Sequence, residues 1–211
     1  MAQPLTLSEG RIRAMTTAFQ TLSQDGVLAT SVPFFSPDDI NHLIRHCIKL
    51  PMRQAKPRVG AAGREVIQDF DICFPAPRER ALAQLADLLE ATIAEAHHRA
   101  ETPFINEAFT LNDVAVQHYP PQSKGIGIHM DSLRYRGVVF IITLAGESTL
   151  STCQDRDGNG ATQINDQPGQ LAVLSAPGFC GREGEGSRPL HYVHDVTAGR
   201  LSIGLRHDTR A

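Results

Sequence analysis

The C-terminal half of the chain, from Leu111 onward, consists of short apolar runs separated by turn-forming residues. Strands of a β-sandwich or barrel have this pattern, because each strand is short and Gly, Pro, Asn, Asp and Ser stand at the turns. The run at 137–144 is apolar almost throughout, so we expect it to be buried on both faces. The expected strands lie at 112–119, 126–131, 137–144, 148–153, 161–164, 170–175, 189–196 and 200–206.

The N-terminal half has longer segments with helical periodicity. Ser36 is a good N-cap and Pro37 suits a first helical position, so a helix is expected to follow them. The expected helices are 8–22, 36–50 and 77–100, the expected strands are 26–35 and 65–74, and the expected loop is 51–63.

Helices that precede a set of antiparallel strands can cover the apolar face of one sheet. The sequence therefore predicts a mainly β fold with N-terminal helices, a double-stranded β-helix or jelly roll. We expect a single domain over 1–211, in which 1–110 supplies helical support and a lid and 111–207 supplies the jelly-roll core.

The composition limits the partners that the chain can have. A formal net charge of −3 over 211 residues gives no general positive field to attract nucleic acid. No apolar run approaches the roughly 20 residues that cross a membrane, and the four cysteines lie far apart without metal-type spacing. We therefore expect a cytoplasmic protein with reduced thiols and no membrane partner, whose substrate is a small molecule rather than nucleic acid. Its oligomeric state stays open.

Two residues near the middle of the β region have the character of metal ligands. His129 and Asp131 are two apart in an expected strand, so their side chains point to the same face. An imidazole and a carboxylate on one face make two thirds of the facial triad that holds non-haem Fe(II). Either His191 or His194 could complete the triad, and because they would lie on opposite faces of a strand, at most one of them does.

The last expected strand alternates between a core face and a polar face. Every second residue from 201 to 205 is Leu or Ile, whereas Arg200, Ser202, Gly204 and Arg206 share the other face. A guanidinium binds a carboxylate bidentately, and an unpaired buried guanidinium is costly. Two arginines on the open face of a core strand therefore predict an anionic partner.

These features together resemble the Fe(II)/2-oxoglutarate dioxygenases, and most of all their AlkB-type branch. That branch carries a His-x-Asp, a later His and an Arg-x5-Arg in this order, which here are His129-x-Asp131, His191 and Arg200-x5-Arg206. The spacing in the family favours the first of the two late histidines as the third ligand.

Two further stretches fit the same resemblance. The AlkB-type proteins have an Asn-x-Tyr about ten residues before the His-x-Asp, and the matching stretch here is Gln117-His118-Tyr119, with Gln in place of Asn. Residues 168–174 resemble the strand that precedes the distal His. The resemblance covers about residues 111–207.

The resemblance implies Fe(II) as the metal, 2-oxoglutarate as the cosubstrate and O2 as the oxidant. The implied metal ligands are His129, Asp131 and His191, with His194 as the alternate. Arg200 would hold the distal carboxylate of 2-oxoglutarate, and Arg206 would reach its other end or the substrate. The implied further cosubstrate contacts are Gln117, Tyr119 and Ser202.

The substrate is predicted less sharply than the cosubstrate. Arg134, Tyr135 and Arg136 follow the ligand strand and would line the substrate mouth, or else form a solvated turn. Arg58 and Arg64 belong to a basic loop that could cover the site. We expect hydroxylation, dealkylation or desaturation of a small metabolite. The alternatives are AlkB-like demethylation of nucleobases in DNA or RNA, and a jelly-roll binding protein without turnover.

One motif is a decoy. Asp155-x-Asp157-x-Asn159-Gly160, with Asp166 near the last ligand position, resembles an EF-hand loop. Its flanks have the pattern of strands and not of helices, so a hairpin turn is the favoured interpretation.

Overall fold

Over residues 5–105 and 108–210, which the computed structural model describes, the chain forms two antiparallel β-sheets and three α-helices. The helices are α1 (Glu9–Ser23), α2 (Pro37–Cys47) and α3 (Arg80–His98). The strands are β1 (Ala29–Pro33), β2 (Arg53–Gln54), β3 (Arg58–Val59), β4 (Val66–Asp69), β5 (Asp71–Cys73), β6 (Asp113–Tyr119), β7 (Gly125–His129), β8 (Tyr135–Gly146), β9 (Thr149–Cys153), β10 (Thr162–Ile164), β11 (Gln170–Ser175), β12 (Leu190–His194) and β13 (Arg200–Asp208).

The two sheets have an interleaved strand order. The larger sheet runs β1-β11-β8-β13-β6-β5-β2, and the smaller sheet runs β10-β9-β12-β7-β4-β3. Successive strands of the C-terminal half therefore fall in both sheets, as a jelly roll requires. This arrangement confirms the predicted mainly β fold with N-terminal helices.

Strand β13 lies in the middle of the larger sheet and separates two apolar layers. Leu201, Ile203 and Leu205 are buried in the core that the helices share with this sheet. The opposite face of β13 looks into the space between the sheets, where Phe70 and Leu150 belong to a second apolar cluster. The alternation predicted for this strand is what turns its arginines toward the interior of the jelly roll.

Helix α2 begins where the sequence predicts. Ser36 Oγ accepts a hydrogen bond from the Asp39 N–H at 3.2 Å, and the Asp39 carboxylate accepts one from the Ser36 N–H at 2.9 Å. This reciprocal capping box satisfies donors that the first helical turn leaves free. Asp39 also forms an ion pair with Arg11 of α1, so the cap fixes the two helices to each other.

The expected strand at 65–74 is divided between the two sheets. Strand β4 pairs with β7 in the smaller sheet, and β5 pairs with β6 in the larger one. Phe70 stands between them and packs on Tyr119, with ring centroids 4.7 Å apart. The expected loop at 51–63 likewise contains the two-residue strands β2 and β3. The N-terminal half thus supplies edge strands to both sheets in addition to its helices.

Gly125 allows β7 to approach β12 closely. Its φ is +76°, and a Cβ at this position would lie 1.9 Å from the Val193 carbonyl oxygen. Only glycine tolerates both conditions. The close pairing that results places His191 opposite His129.

None of the helices within the described residues is both long and apolar enough to span a bilayer.

Candidate metal and cosubstrate site

Three side chains that could bind one metal ion meet at the ends of β7 and β12. His129 ends β7, His191 lies opposite it on β12, and Asp131 follows His129 by two residues. Each residue offers one donor atom, and these three atoms all lie within 4.8 Å of one another. The centroids of the two imidazole rings are 4.2 Å apart. The structure therefore brings together the three residues that were predicted from the sequence as metal ligands.

His194 lies on the other face of β12 and takes no part in this cluster. Its Nε2 is 3.0 Å from Ser151 Oγ, and its Nδ1 is 2.9 Å from the Asp195 carboxylate. Its ring stacks on that of Tyr192, with centroids 4.8 Å apart. The alternate ligand considered from the sequence is thus directed away from the other two.

Both histidines of the cluster are held as neutral rings with one nitrogen free. His129 Nδ1 donates to the Gly127 carbonyl at 2.8 Å, and His191 Nδ1 donates to the Pro189 carbonyl at 3.2 Å. Each Nε2 therefore carries the lone pair, and a backbone partner of this kind commonly orients histidine ligands. Burial, with the neighbouring His191, lowers the pKa of His129 to about 4, and burial also lowers the pKa of His191. Protons therefore do not compete for these nitrogens at neutral pH.

Asp131 supplies the negative charge of the cluster. Burial opposes its ionisation, but the charge of Arg206 and the hydrogen bond that it donates help to lower the pKa of Asp131 below its usual range. Its Oδ2 is buried without a hydrogen-bond partner among the described residues, and it lies 3.9 Å from His191 Nε2. A buried anionic oxygen beside two imidazole lone pairs is the donor set of a divalent metal ion, so the residues present fit Fe(II).

Arg206 is engaged by carboxylates at the metal end of the site. Its Nε is 3.4 Å from Asp131 Oδ1, and its Nη1 is 3.3 Å from Asp113 Oδ1. Its guanidinium lies over the Tyr135 ring, 5.2 Å from the centroid, and the Tyr135 hydroxyl donates to Asp113 at 3.1 Å. Arg206 thus contacts a candidate metal ligand and also lines the cavity described below. Its contact with the cosubstrate or the substrate stays a prediction.

Arg200 is buried at the other end of the site and keeps part of its hydrogen-bonding capacity free. Its Nη1 donates to Ser148 Oγ at 2.8 Å and forms an ion pair with Asp166. Asp166 also accepts from Thr143 Oγ1 at 2.7 Å, so the position of the ion pair is fixed. The Nε and Nη2 atoms of Arg200 are buried without partners among the described residues. Two parallel N–H groups of this kind suit a carboxylate.

The other predicted cosubstrate contacts share the strand face of Arg200. Tyr119 stands directly opposite Arg200 on β6, and Gln117 stands opposite Ser202. Burial raises the pKa of the Tyr119 phenol despite the nearby arginines, so it remains a hydrogen-bond donor at neutral pH. Gln117 and Tyr119 line the cavity described next, whereas Ser202 is buried in the sheet and does not.

One cavity of about 420 Å³ joins the two ends of the site. It extends between the sheets, with His129, Asp131 and His191 on one side and Arg200 on another. Its apolar walls come from both sheets and include Phe70, Ile72, Phe74, Ile126, Ile141, Leu150 and Val193. A small acid bound to Arg200 and a metal ion bound to the triad would therefore share one cavity.

The residues predicted for the substrate mouth lie in different places. Tyr135 lines the cavity, but the four arginines do not. Arg134 pairs with Asp208 at 2.9 Å and Arg136 with Glu183 at 2.7 Å. The remaining two pairs are exposed, Arg58 with Glu65 at 3.4 Å and Arg64 with Glu185 at 3.8 Å.

Three charged residues of the site were not among the predicted site residues, although the sequence places Arg53 and Lys56 in the basic loop that could cover the site. Arg53 and Lys56 line the cavity from the same basic loop as Arg58, because β2 pairs with β5 at the edge of the larger sheet. Asp166 is the partner of Arg200, although its pattern in the sequence suggested only a decoy calcium loop. Asp155 of that pattern instead accepts from the Asn159 N–H at 3.1 Å within a β9–β10 turn. Asp166 and Arg200 are 34 residues apart, and no pattern in the sequence predicts that they form an ion pair.

No protein-family model matches the chain, and no curated protein matches it in sequence. Solved structures match it in fold. A prolyl hydroxylase from Trichoplax adhaerens, in complex with a hypoxia inducible factor oxygen degradation domain peptide, has a TM-score of 0.66 and 17% identity, covering 96% of this chain and 92% of that chain.

Two other structures have a similar extent of overlap. An oxidoreductase of the 2OG-Fe(II) oxygenase family from Burkholderia pseudomallei has a TM-score of 0.59 and 12% identity, over 96% of this chain and 92% of that one. OsALKBH1 has a TM-score of 0.52 and 14% identity, over 85% of this chain and 97% of that one. The chain therefore has the double-stranded β-helix fold of the 2-oxoglutarate and Fe(II) oxygenases.

Proposed function

We propose that this protein is an Fe(II)- and 2-oxoglutarate-dependent dioxygenase that hydroxylates a small molecule and releases succinate and CO2. One observation carries the proposal. A largely buried cluster of two neutral imidazoles and one carboxylate shares a cavity with a buried arginine that has two N–H groups without partners among the described residues. The fold shared with oxygenases supports the same conclusion.

Each end of the cavity has a defined task in this proposal. His129, Asp131 and His191 hold the metal ion through three ligand atoms, and Arg206 keeps the Asp131 carboxylate ionised. Arg200 binds the distal carboxylate of 2-oxoglutarate through Nε and Nη2, and the Tyr119 hydroxyl donates to the same acid. Bound Fe(II), with 2-oxoglutarate and O2, supplies an oxidant strong enough to convert a C–H bond into C–OH.

The cavity favours a small substrate over a polynucleotide. Its volume of about 420 Å³ must hold the cosubstrate as well as the reacting group. Among the described residues that line it, Arg53 and Lys56 are the cations outside the strand that carries Arg200 and Arg206. A phosphate backbone is normally bound by a longer basic surface, and the net charge of the chain is −3.

A second candidate substrate is a prolyl residue of a peptide. The fold similarity to the Trichoplax adhaerens prolyl hydroxylase, which was solved with a bound peptide, favours it. A third candidate, oxidative demethylation of nucleobases, is favoured by the fold similarity to OsALKBH1. A binding protein without turnover would have the same fold and no activity.

The decisive experiment measures succinate formed from 2-oxoglutarate with Fe(II) and O2, first alone and then with a panel of substrates. The panel contains amino acids and related metabolites, proline-containing peptides, and methylated oligonucleotides. We expect succinate above background with the wild type, and stimulation by a member of the metabolite set. Wild-type protein that binds neither Fe(II) nor 2-oxoglutarate would refute the proposal. If only peptides or only oligonucleotides stimulate succinate formation, the substrate is a peptide or a nucleic acid and not a small metabolite.

A further inference from the structure

A second cavity lies beside the metal cluster. It measures about 680 Å³ and shares one wall with the first cavity, because Met130 lines both. Met130 stands between the two ligands at positions 129 and 131. The other walls come from the segments 26–29, 152–154, 185–186 and 188–190, with Gly160 and Thr162 of the β9–β10 region. The second cavity is thus adjacent to the place where a substrate would react.

Arg188 lines this cavity and is only 8% exposed. Its Nη1 donates to the main-chain carbonyl of the proposed ligand Asp131, which fixes the guanidinium beside the metal cluster. Its Nε is buried and has no hydrogen-bond partner among the described residues. The described part of the chain also places no carboxylate within ion-pair distance of its guanidinium.

The other buried arginines of the site contrast with Arg188. Arg200 pairs with Asp166, and Arg206 pairs with Asp113 and Asp131. A buried guanidinium without a counterion is unfavourable, and proteins keep such groups where a ligand supplies the missing charge. Glu185, the acid among the described residues that line this cavity, has a largely exposed side chain and pairs with Arg64 at 3.8 Å.

We propose that Arg188 recognises an oxyanion group of the substrate, a carboxylate or a phosphate, held in the second cavity. The rest of the substrate then passes over Met130, so that the carbon to be hydroxylated reaches the metal side of that residue. This inference rests on the function proposed above and narrows its substrate class to anionic compounds.

The test uses protein loaded with Fe(II) and 2-oxoglutarate under argon, so that both partners are bound and no O2 is present. Inorganic phosphate and acetate are titrated separately, and binding is measured by calorimetry. We expect at least one of the two anions to bind the wild type, and the anion that binds identifies the group. Arg188→Met should weaken that binding at least tenfold, and Arg188→Lys should restore part of it because the charge is kept.

Two matched variants complete the design. Arg156→Met removes an exposed arginine that donates to the Ile128 carbonyl at 3.4 Å but does not line the second cavity, so anion binding should be unchanged. Gly186→Phe adds a ring to the wall of the second cavity, where a Cβ meets no atom within 4 Å, and it should weaken anion binding while Arg188 is kept.

The outcomes separate this inference from the proposed function. Wild-type protein that fails to bind Fe(II) and 2-oxoglutarate overturns the proposed function itself. Protein that binds both, but shows no anion binding or equal anion binding in Arg188→Met and Gly186→Phe, overturns the role of Arg188 and leaves the dioxygenase site standing.

Discussion

The two ends of the main cavity carry the same side chain in different states. Arg200 and Arg206 lie on one face of β13, and both are largely buried. Arg206 is surrounded by carboxylates, with Asp113 and Asp131 at ion-pair distance. Arg200 has one carboxylate, Asp166, which contacts a single nitrogen and leaves Nε and Nη2 without partners among the described residues.

The difference indicates how each arginine contributes to the site. An arginine whose charge is already balanced acts on its neighbours, and here it keeps Asp131 ionised for a metal ion. An arginine that is fixed on one side and free on the other is prepared for a ligand with the matching geometry. The Arg-x5-Arg motif does not distinguish the two arginines. The neighbours of each residue in the structure show that Arg206 supports a metal ligand and that Arg200 can bind a ligand.

The largest effect is expected from removing a metal ligand. His129→Ala leaves two of three donor atoms and should lower the affinity for Fe(II) by more than about 100-fold, because changes even in residues that only orient ligands cost 10–100-fold. Metal binding is measured by calorimetry under argon, and succinate formation by mass spectrometry. His194→Ala is the matched control and should bind metal like the wild type, since His194 pairs with Asp195 and Ser151 instead. Normal metal binding by His129→Ala would contradict the site.

Replacing Arg200 should mainly affect the cosubstrate. Arg200→Met removes two hydrogen bonds to a charged group, each worth about 1.5 kcal/mol or more, so the KM for 2-oxoglutarate should rise about 100-fold. Fe(II) binding should change little, because the residue lies at the far end of the cavity. Steady-state kinetics at varied 2-oxoglutarate, beside calorimetry of metal binding, separate the two quantities. An unchanged KM would mean that another residue holds the distal carboxylate.

Replacing Arg206 should affect the metal and its pH dependence. Arg206 lowers the pKa of Asp131, so Arg206→Met raises that pKa. The carboxylate is ionised above its pKa and protonated below it, so protons displace the metal at a higher pH in the variant. We expect the acid limit of metal binding to move upward by about one pH unit, which corresponds to about 1.4 kcal/mol. Co(II) absorption followed between pH 8 and pH 4 measures the shift, and an unmoved acid limit would contradict the proposed task of Arg206.

The sequence predicted the β region well because alternation is a local property. β13 was expected at 200–206 and forms Arg200–Asp208, and β11 was expected at 170–175 and forms Gln170–Ser175. Pairing partners are not local, so the segment 65–74 was expected as one strand although its halves belong to different sheets. The same limit applies to the basic loop, where Arg53 rather than Arg58 reaches the cavity because of how β2 pairs.

The candidate site was predictable where its residues are near in sequence or match an ordered motif. His129, Asp131, His191 and Arg200 satisfy that condition. Asp166 does not, because its relation to Arg200 depends on how the β10–β11 turn packs against β8 and β13. Arg188 was not selected either, since a single arginine ahead of a histidine has no pattern that distinguishes it from a surface charge.

The smallest effect is expected from the groups that hold Arg200 in place. Ser148→Ala removes the 2.8 Å contact with Arg200 Nη1 but leaves the ion pair with Asp166. Loss of one hydrogen bond costs about 1 kcal/mol, so the KM for 2-oxoglutarate should rise about fivefold with kcat unchanged. Ser151→Ala is the control, because its hydroxyl contacts His194 on the other face. Asp166→Asn should raise the KM for 2-oxoglutarate further than Ser148→Ala does, because it removes the charge that orients the Arg200 guanidinium. If the KM of Asp166→Asn is instead lower than that of Ser148→Ala, the Asp166 carboxylate competes with 2-oxoglutarate for Arg200 and does not position the guanidinium.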